Sequence, residues 1–250
     1  MASSIASPTD PPRLSVAGIW IRARRPAAVA AACVVLLGSA VAATRTDLFR
    51  VRGIAVEGGV HREEARIVRL SGVTARDNAL WLDESGVEAR LLRDPWIARA
   101  DVDVDLPWTV SITVTERSPI ATTQRGPERA LVAGDGTILG PGHASGLPVI
   151  DAPPSWVDPA GTDQIADAAR ALAALGDDLR SKVRRVLVGG PRGLELVLTD
   201  GLRVTFGAPR AHATKARVLR EVLMWIEDAD GPFRAIDVSA PSAPAVVPGD

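Results

Sequence analysis

The sequence predicts an α+β chain: a single N-terminal transmembrane helix, then a β-α-α-β-β module, then a mixed β domain with helices on one face. Three observations predict this. An uncharged run, Ala27–Thr44, stands near the start. Apolar residues alternate strictly over 100–104 and 110–114, the period of half-buried strands. Between and beyond these strands lie segments of helical spacing closed by Gly or Pro. The chain has 250 residues, 46% hydrophobic and 24% charged, which suffices for a tail, a span and one or two modest domains. It is too apolar for disorder. A net charge of −1, without aromatic–basic interleaving, argues against a nucleic-acid surface. Only Lys182 and Lys215 among the 29 basic residues are lysine, and there is no Tyr, a bias of GC-rich bacterial genomes. Cys33, the one cysteine, lies inside the uncharged run. That leaves no intramolecular disulfide, no cysteine metal site and no exposed reactive thiol, which suits a bacterial envelope protein.

The first element is the uncharged run itself, which includes Val29, Val34, Val35, Leu36, Leu37 and Val41. About eighteen residues at about 1.5 Å each reach roughly 27 Å, just enough to cross a hydrocarbon core. Arg22, Arg24 and Arg25 precede it, with Arg13 further out, so the positive-inside rule keeps residues 1–26 in the cytoplasm. Arg45, Arg50 and Arg52 on the far side weaken that bias, and Asp47 partly offsets them. Ala40-Val41-Ala42 also reads as a small-x-small cleavage site, so a cleaved signal peptide is the rival to an anchor over 27–44. Residues 1–12, rich in Ser, Pro and Asp, read as a disordered tail.

The first outer module opens with two alternating stretches, Phe49-Arg50-Val51 and Ile54–Glu57, whose phase slips at Gly53 as at a bulge. Gly58-Gly59 ends this strand. Arg62–Leu70 has helical spacing, with Ala65, Ile67, Val68 and Leu70 as its apolar positions and Ser71-Gly72 as its stop. Asp83 can cap a second helix that turns Val87, Leu91 and Leu92 inward before Pro95. Two strands follow, with Ala100, Val102 and Val104 inward in one and Val110, Ile112 and Val114 inward in the other. The corner Leu106-Pro107-Trp108 joins them.

Residues of this module carry a resemblance. Glu57-Gly58, Asn78–Asp83, Pro95-Trp96 leading to Asp101-Val102, Leu106-Pro107, and Thr115-Glu116-Arg117-Ser118-Pro119-Ile120-Ala121 resemble the FtsQ/DivIB cell-division family. The resemblance runs over about residues 22–247. It implies a POTRA domain over 48–117, a β domain over 118–239 and a C-terminal tail over 240–250.

In the second module, 129–133 and 137–139 flank the turn Gly134-Asp135-Gly136, and Gly146–Ile150 steps into the next strand. Asp163–Leu179 is amphipathic, with Ile165, Ala169, Leu172, Leu175 and Leu179 on one face. Strands follow over 183–188, 194–198 and 202–206, the last two joined by Asp200-Gly201. Thr214–Trp225 reads as a helix with Val218, Val222, Trp225 and Ile226 inward, and Ala235–Val238 as a final strand. Pro241, Pro244 and Pro248 punctuate the tail.

No constellation for catalysis or metal binding emerges. Asp101, Asp103 and Asp105 have the spacing that opens a calcium loop, but the sixth and twelfth places hold Leu106 and Ile112 instead of Gly and Glu. His61, His143 and His212 lie in separate segments, and no nucleophile elbow, P-loop or dinucleotide fingerprint appears. Trp81, Trp96, Trp108 and Trp225 read as core or domain-junction packing. Lys215 is a surface, capping or binding residue.

The resemblance implies a non-enzymatic divisome scaffold without cofactors, metal or small-molecule substrate. It would be single-pass in the bacterial cell (inner) membrane at the division septum, with its N-terminus cytoplasmic and its C-terminus outside. Its implied partners are proteins resembling FtsB/DivIC and FtsL, with membrane lipid around the anchor. Two other readings stand beside it: a POTRA-containing transport or secretion component, and a membrane-anchored envelope hydrolase. For partner binding by strand addition the resemblance singles out Ala235, Ile236, Asp237 and Val238, or Ala245, Val246 and Val247. Pro241 and Pro244 equally suit an edge guarded against pairing.

Overall fold

The structure, a computed structural model, describes residues 17–59, 63–125, 128–151, 159–229 and 231–249. The predicted tail over 1–12, Arg13, His61 and the helix start at Arg62 lie outside them. The chain forms two compact units. One gathers the described residues up to Ile54 with Thr74–Leu82 and Val104–Val110, and the other holds the rest.

The first unit begins with helix α1, Ala17–Thr44, which ends where the uncharged run ends but starts well before it. Val29, Val34, Val35, Leu36, Leu37 and Val41 are all exposed on it. Among the described residues no helix is long and apolar enough to cross a membrane; the side chains of α1 are described from Ala28 onward. Asp47–Phe49 then makes a 3-10 turn where the sequence suggested a strand. Phe49 turns out of any strand to meet the Trp108 ring at 5.1 Å. Arg50 makes an isolated bridge with Asn78, and the Val51 N–H donates to the Asp77 carbonyl at 3.0 Å. Strand β1 therefore starts afresh at Gly53 and runs to Glu57.

Helices α2 (Glu64–Ser71) and α3 (Glu84–Leu91) and strands β2 (Ile97–Asp105) and β3 (Thr109–Glu116) complete the first module, whose sheet has the order β1–β3–β2. Ile67, Val87, Leu91, Val102, Ile112 and Val114 are buried, as alternation and helical spacing require. Asp83 caps α3 by accepting the Gly86 N–H at 3.0 Å. Three positions expected to pack fail, one of them Trp81, which is 57% exposed. Ala65 sits in the first turn of a helix that begins only at Glu64, and it is exposed. Leu92 is the cap beyond the last turn of α3 and is 46% exposed. Gly58, at φ +88°, cannot be replaced where it stands, because a Cβ would lie 2.1 Å from the Val114 carbonyl oxygen.

Arg117 leads from this module into the next. Its backbone N–H donates to the Trp96 carbonyl at 2.7 Å. Its Nη1 donates to the carbonyls of Pro95 and Ile97 at 3.0 and 2.6 Å, while Nε donates to Asp135 Oδ2 at 2.7 Å. The Asp135 side chain also accepts the Thr137 N–H at 2.9 Å, which fixes the turn that carries it. Burial pushes the Asp135 carboxyl up, yet the Arg117 and Thr137 hydrogen bonds outweigh it and hold the pKa below the usual carboxylate value. A lowered native pKa means this stabilisation is complete above the unfolded value and is lost as pH falls through the native one. Arg117→Ala should cost about 2 kcal/mol at neutral pH, since two carbonyls lose a charged donor and the partner carboxylate is half exposed. Asp135→Asn should cost less, and its deficit should close in acid. Denaturant titrations at neutral pH and well below the carboxylate range check both.

The second module is a nine-stranded sheet of order β12–β11–β10–β9–β8–β7–β4–β5–β6. Its strands are β4 (Pro119–Arg125), β5 (Glu128–Ala133), β6 (Ile138–Pro141), β7 (Val149–Asp151), β8 (Val183–Gly190), β9 (Gly193–Leu198), β10 (Arg203–Gly207), β11 (Phe233–Asp237) and β12 (Ala245–Pro248). Strand β4 has no signature in the sequence, because Ala121, Thr122 and Thr123 are all buried and no alternation results. Three pairings are parallel, β4 with β7, β7 with β8 and β10 with β11, so the sheet is not a simple meander. Helices α4 (Pro159–Ser181) and α5 (His212–Asp228) share one core with the sheet through Ile165, Leu172, Leu175, Ala216, Leu219, Leu196, Val204, Phe206 and Ile236. Helix α4 breaks at Gly176 (φ 77°, ψ 170°), and Arg220 of α5 donates to the Leu175 carbonyl at 3.0 Å beside that break. The residues read as a C-terminal tail fold back instead, and Ala245–Pro248 becomes the last strand.

Candidate functional site

The C-terminal edge of the large sheet separates the residues singled out from the sequence. Strand β11 is parallel to β10 on one side, with Val204 opposite Ile236, and antiparallel to β12 on the other, with Ile236 opposite Val246. Ala235, Ile236 and Asp237 are therefore interior to the sheet, and Ile236 and Val238 belong to the core. They offer no free edge. Ala245, Val246 and Val247 form the outermost strand, whose outer side has no strand partner among the described residues. Ala245 is exposed, and Val246 and Val247 are half-buried.

Adjacent residues of β12 face opposite sides of the sheet, as the period of two demands. Val246 lines a groove of about 300 Å³ with Pro244 and with Val218, Glu221, Val222 and Trp225 of α5. Val247 lines a second cavity of about 300 Å³ with Arg192, Thr205, Ala235, Ile236 and Asp237. The strand is thus flanked by a mainly apolar groove on one face and a charged one on the other. Trp225 is 57% exposed and leans on Phe233 at 5.8 Å, with Met224 exposed beside it in sequence.

This rotates the expected inner face of α5: Val218, Val222 and Ile226 do pack against the core, half-buried, and Trp225 does not. Lys215, Ala216, Leu219 and Leu223 are the buried positions, while Val218 and Val222 lie at the flank and Trp225 points out. Lys215 is only 2% exposed, so the surface reading fails; its Nζ donates to the Ala208 carbonyl at 2.7 Å and lies 5.5 Å from the Phe206 ring. Burial first, then the charge of Arg210, lowers its pKa, and Asp237 acts the other way. His212 stacks on Phe206 at 6.1 Å, and burial followed by the charge of Lys215 lowers its pKa in turn. At Gly207 a Cβ would meet Ser239 Cβ at 2.6 Å, so glycine lets the chain leaving β11 pass close by. The Ser239 N–H donates back to Asp237 Oδ1 at 2.8 Å, turning the chain toward β12.

The residues weighed for chemistry stay apart. Asp101, Asp103 and Asp105 alternate along β2 with exposed side chains. His143 Nδ1 lies 3.4 Å from Arg129 Nη1, and among the described residues no group of His, Cys, Asp and Glu is placed to hold a metal.

Comparison with known proteins assigns both modules. The profile of the POTRA domain, FtsQ-type, matches residues 49–117, and that of the cell division protein FtsQ/DivIB, C-terminal, matches residues 121–239. The chain belongs to the FtsQ/DivIB family. A cell division protein FtsQ of Streptomyces collinus is 30% identical over 244 residues, 90% of each chain. That of Streptomyces bingchenggensis is 29% identical over 233 residues, 89% of this chain and 86% of its relative. For Mycobacteroides abscessus the figures are 29% over 204 residues, 80% of this chain but 62% of the longer relative. A solved structure, the major extracytoplasmic domain of the trans isomer of the bacterial cell division protein DivIB from Geobacillus stearothermophilus, aligns at 18% identity. It covers 46% of this chain and 97% of that one, and its TM-score of 0.35 is too low to argue from. Family membership makes the α+β architecture that of a POTRA domain followed by an FtsQ/DivIB-like β domain.

Proposed function

We propose that this member of the FtsQ/DivIB family is a membrane-anchored, non-enzymatic scaffold of the bacterial divisome that recruits FtsB/DivIC- and FtsL-like proteins at the septum. The observation that carries the reading is the outer side of β12. A strand edge offers main-chain N–H and C=O groups to an extended partner segment, and side-chain grooves on either face add selectivity. Trp225 gives the groove on the α5 side an aromatic anchor of the kind that dominates binding energy. Pro244 and Pro248 cannot donate, so a partner strand would pair chiefly along Ala245–Val247. Val246→Pro, and separately truncation after Ser239, should each abolish co-purification of the FtsB-like partner while the outer domain stays folded by circular dichroism. Retained binding in both would move the interface elsewhere.

The anchor is the other half of the proposal. Exposed valines and leucines surround α1, and its hydroxyls are satisfied within the helix, Ser39 Oγ on the Val35 carbonyl and Thr44 Oγ1 on that of Val41, both at 2.7 Å. Hydrocarbon demands such internal pairing. A reporter active only outside the membrane should work at the C-terminus and fail at residue 20. A mature protein starting near Ala43 would instead mean that the segment is a cleaved signal.

A further inference from the structure

The end of α1 is held by residues distant in sequence. Asn78 Nδ2 donates to the Thr44 carbonyl at 2.7 Å, and Trp81 Nε1 donates to Thr44 Oγ1 at 3.2 Å. The Arg45 guanidinium sits 6.0 Å above the Trp81 ring. The Arg52 N–H donates to the Trp108 carbonyl at 2.9 Å, adding to the Phe49–Trp108 and Arg50–Asn78 contacts described above. Three stretches, 44–52, 77–81 and 105–108, thus gather in the one compact unit that contains the helix.

This collar exposes large apolar side chains. Leu48 is 63% exposed, Leu80 47%, Trp81 57% and Leu106 78%. Water gains nothing from them, and none belongs to the β12 edge. We infer that the collar lies in the interfacial zone of the lipid bilayer, its leucines and Trp81 dipping between headgroups while Arg45 and Arg52 meet lipid phosphates and Arg50 stays paired with Asp47 at 2.9 Å. The inference rests on the anchor reading. If Thr44 ends the apolar span, residues hydrogen-bonded to Thr44 are within a few ångströms of the headgroups. Trp carries an apolar ring with one polar N–H, the combination favoured at that depth. Arg supplies donors suited to phosphate. Arg45 and Arg52, two of the three arginines that oppose the positive-inside bias, thereby acquire a place at the outer headgroups.

The test uses the full chain in nanodiscs of phosphatidylcholine and phosphatidylglycerol, with single cysteines carrying a bimane label. Cys33 itself reports on the anchor. Leu80→Cys and Leu106→Cys, each in a Cys33→Ala background, report on the collar, and Asp200→Cys in the same background is the aqueous control. Lipids brominated near the glycerol backbone should quench the labels at 80 and 106, and aqueous iodide should quench them far less than the label at 200. If lipid quenches the label at Cys33 while 80 and 106 follow the aqueous control, the anchor stands and the collar inference is overturned. If 80 and 106 are shielded from iodide yet untouched by brominated lipid, protein covers them, and the inference is likewise overturned. If the label at Cys33 also behaves as the aqueous control, the anchor reading falls and the inference with it.

Discussion

Trp96→Ala is expected to lower the melting temperature of the chain by roughly 5–10 °C, corresponding to about 2–3 kcal/mol in an outer region of this size. Its sequence position, after Pro95 and before a strand, suggested a ring that closes the helix–sheet junction of the POTRA domain. The ring packs on Leu131, Ala133 and Leu139 of the following domain, in one cluster with Ala144 and Leu147. The Trp96 backbone is tied at both ends, its N–H donating to Asp94 Oδ1 at 3.0 Å and its carbonyl accepting from Arg117 at 2.7 Å. The side chain is half-buried, so the cost falls below that of a fully buried tryptophan. Trp96→Phe should recover most of the loss by refilling the apolar contact. An unchanged melting temperature for Trp96→Ala, measured by scanning calorimetry, would remove the junction role.

Lys215→Ala should be comparably severe, about 2–4 kcal/mol, because it empties a buried site and leaves the Ala208 carbonyl without its donor. Lys215→Met keeps the aliphatic stem and removes the charge, so it should cost less. The two proteins should also differ in pH dependence. The native Lys215 pKa is lowered, so the unfolded chain binds the extra proton between the lowered value and the usual lysine value. Native stability therefore rises with pH across that window, and the Met variant should lack the rise. Lys215→Met should also raise the pKa of His212 toward its ordinary value, since the lysine charge helps to lower it. The His212 ring protons followed by NMR titration report this directly. For His212 the sign is the same: a lowered native pKa costs stability on acidification, through the interval from the ordinary histidine value down to the native one.

The strands most readable in the sequence were those buried on one face. Val110, Ile112 and Val114 announce themselves because their neighbours are polar, and Leu194 and Leu196 do so around Glu195. Strand β4 is covered on both faces, so its residues lose the alternation that would reveal it. Capping was legible where one side chain does the work, as with Asp83. It was not legible at Gly176, where the break in α4 goes with a donor from another helix, Arg220. The family motifs named two segments for strand addition, of which β11 is interior to the sheet and β12 is outermost. Only the pairing of β11 with both β10 and β12 decides between them, and such pairing depends on residues far apart in sequence. Trp225 was misplaced because the inner stripe of α5 starts with a lysine, whose burial no hydropathy pattern foretells.

The position of β12 also makes the outermost strand depend on the strand beside it. Among the described residues β12 pairs with no strand but β11, and β11 pairs in parallel with β10 across the whole of α5. Parallel pairings of this kind must close long loops before their contacts form, which makes them slow steps of folding. The free side of β12 thus exists only where β11 has already joined β10. A chain in which the β10–β11 pairing fails does not display it. The recruitment proposed at that edge therefore depends on a folded β domain.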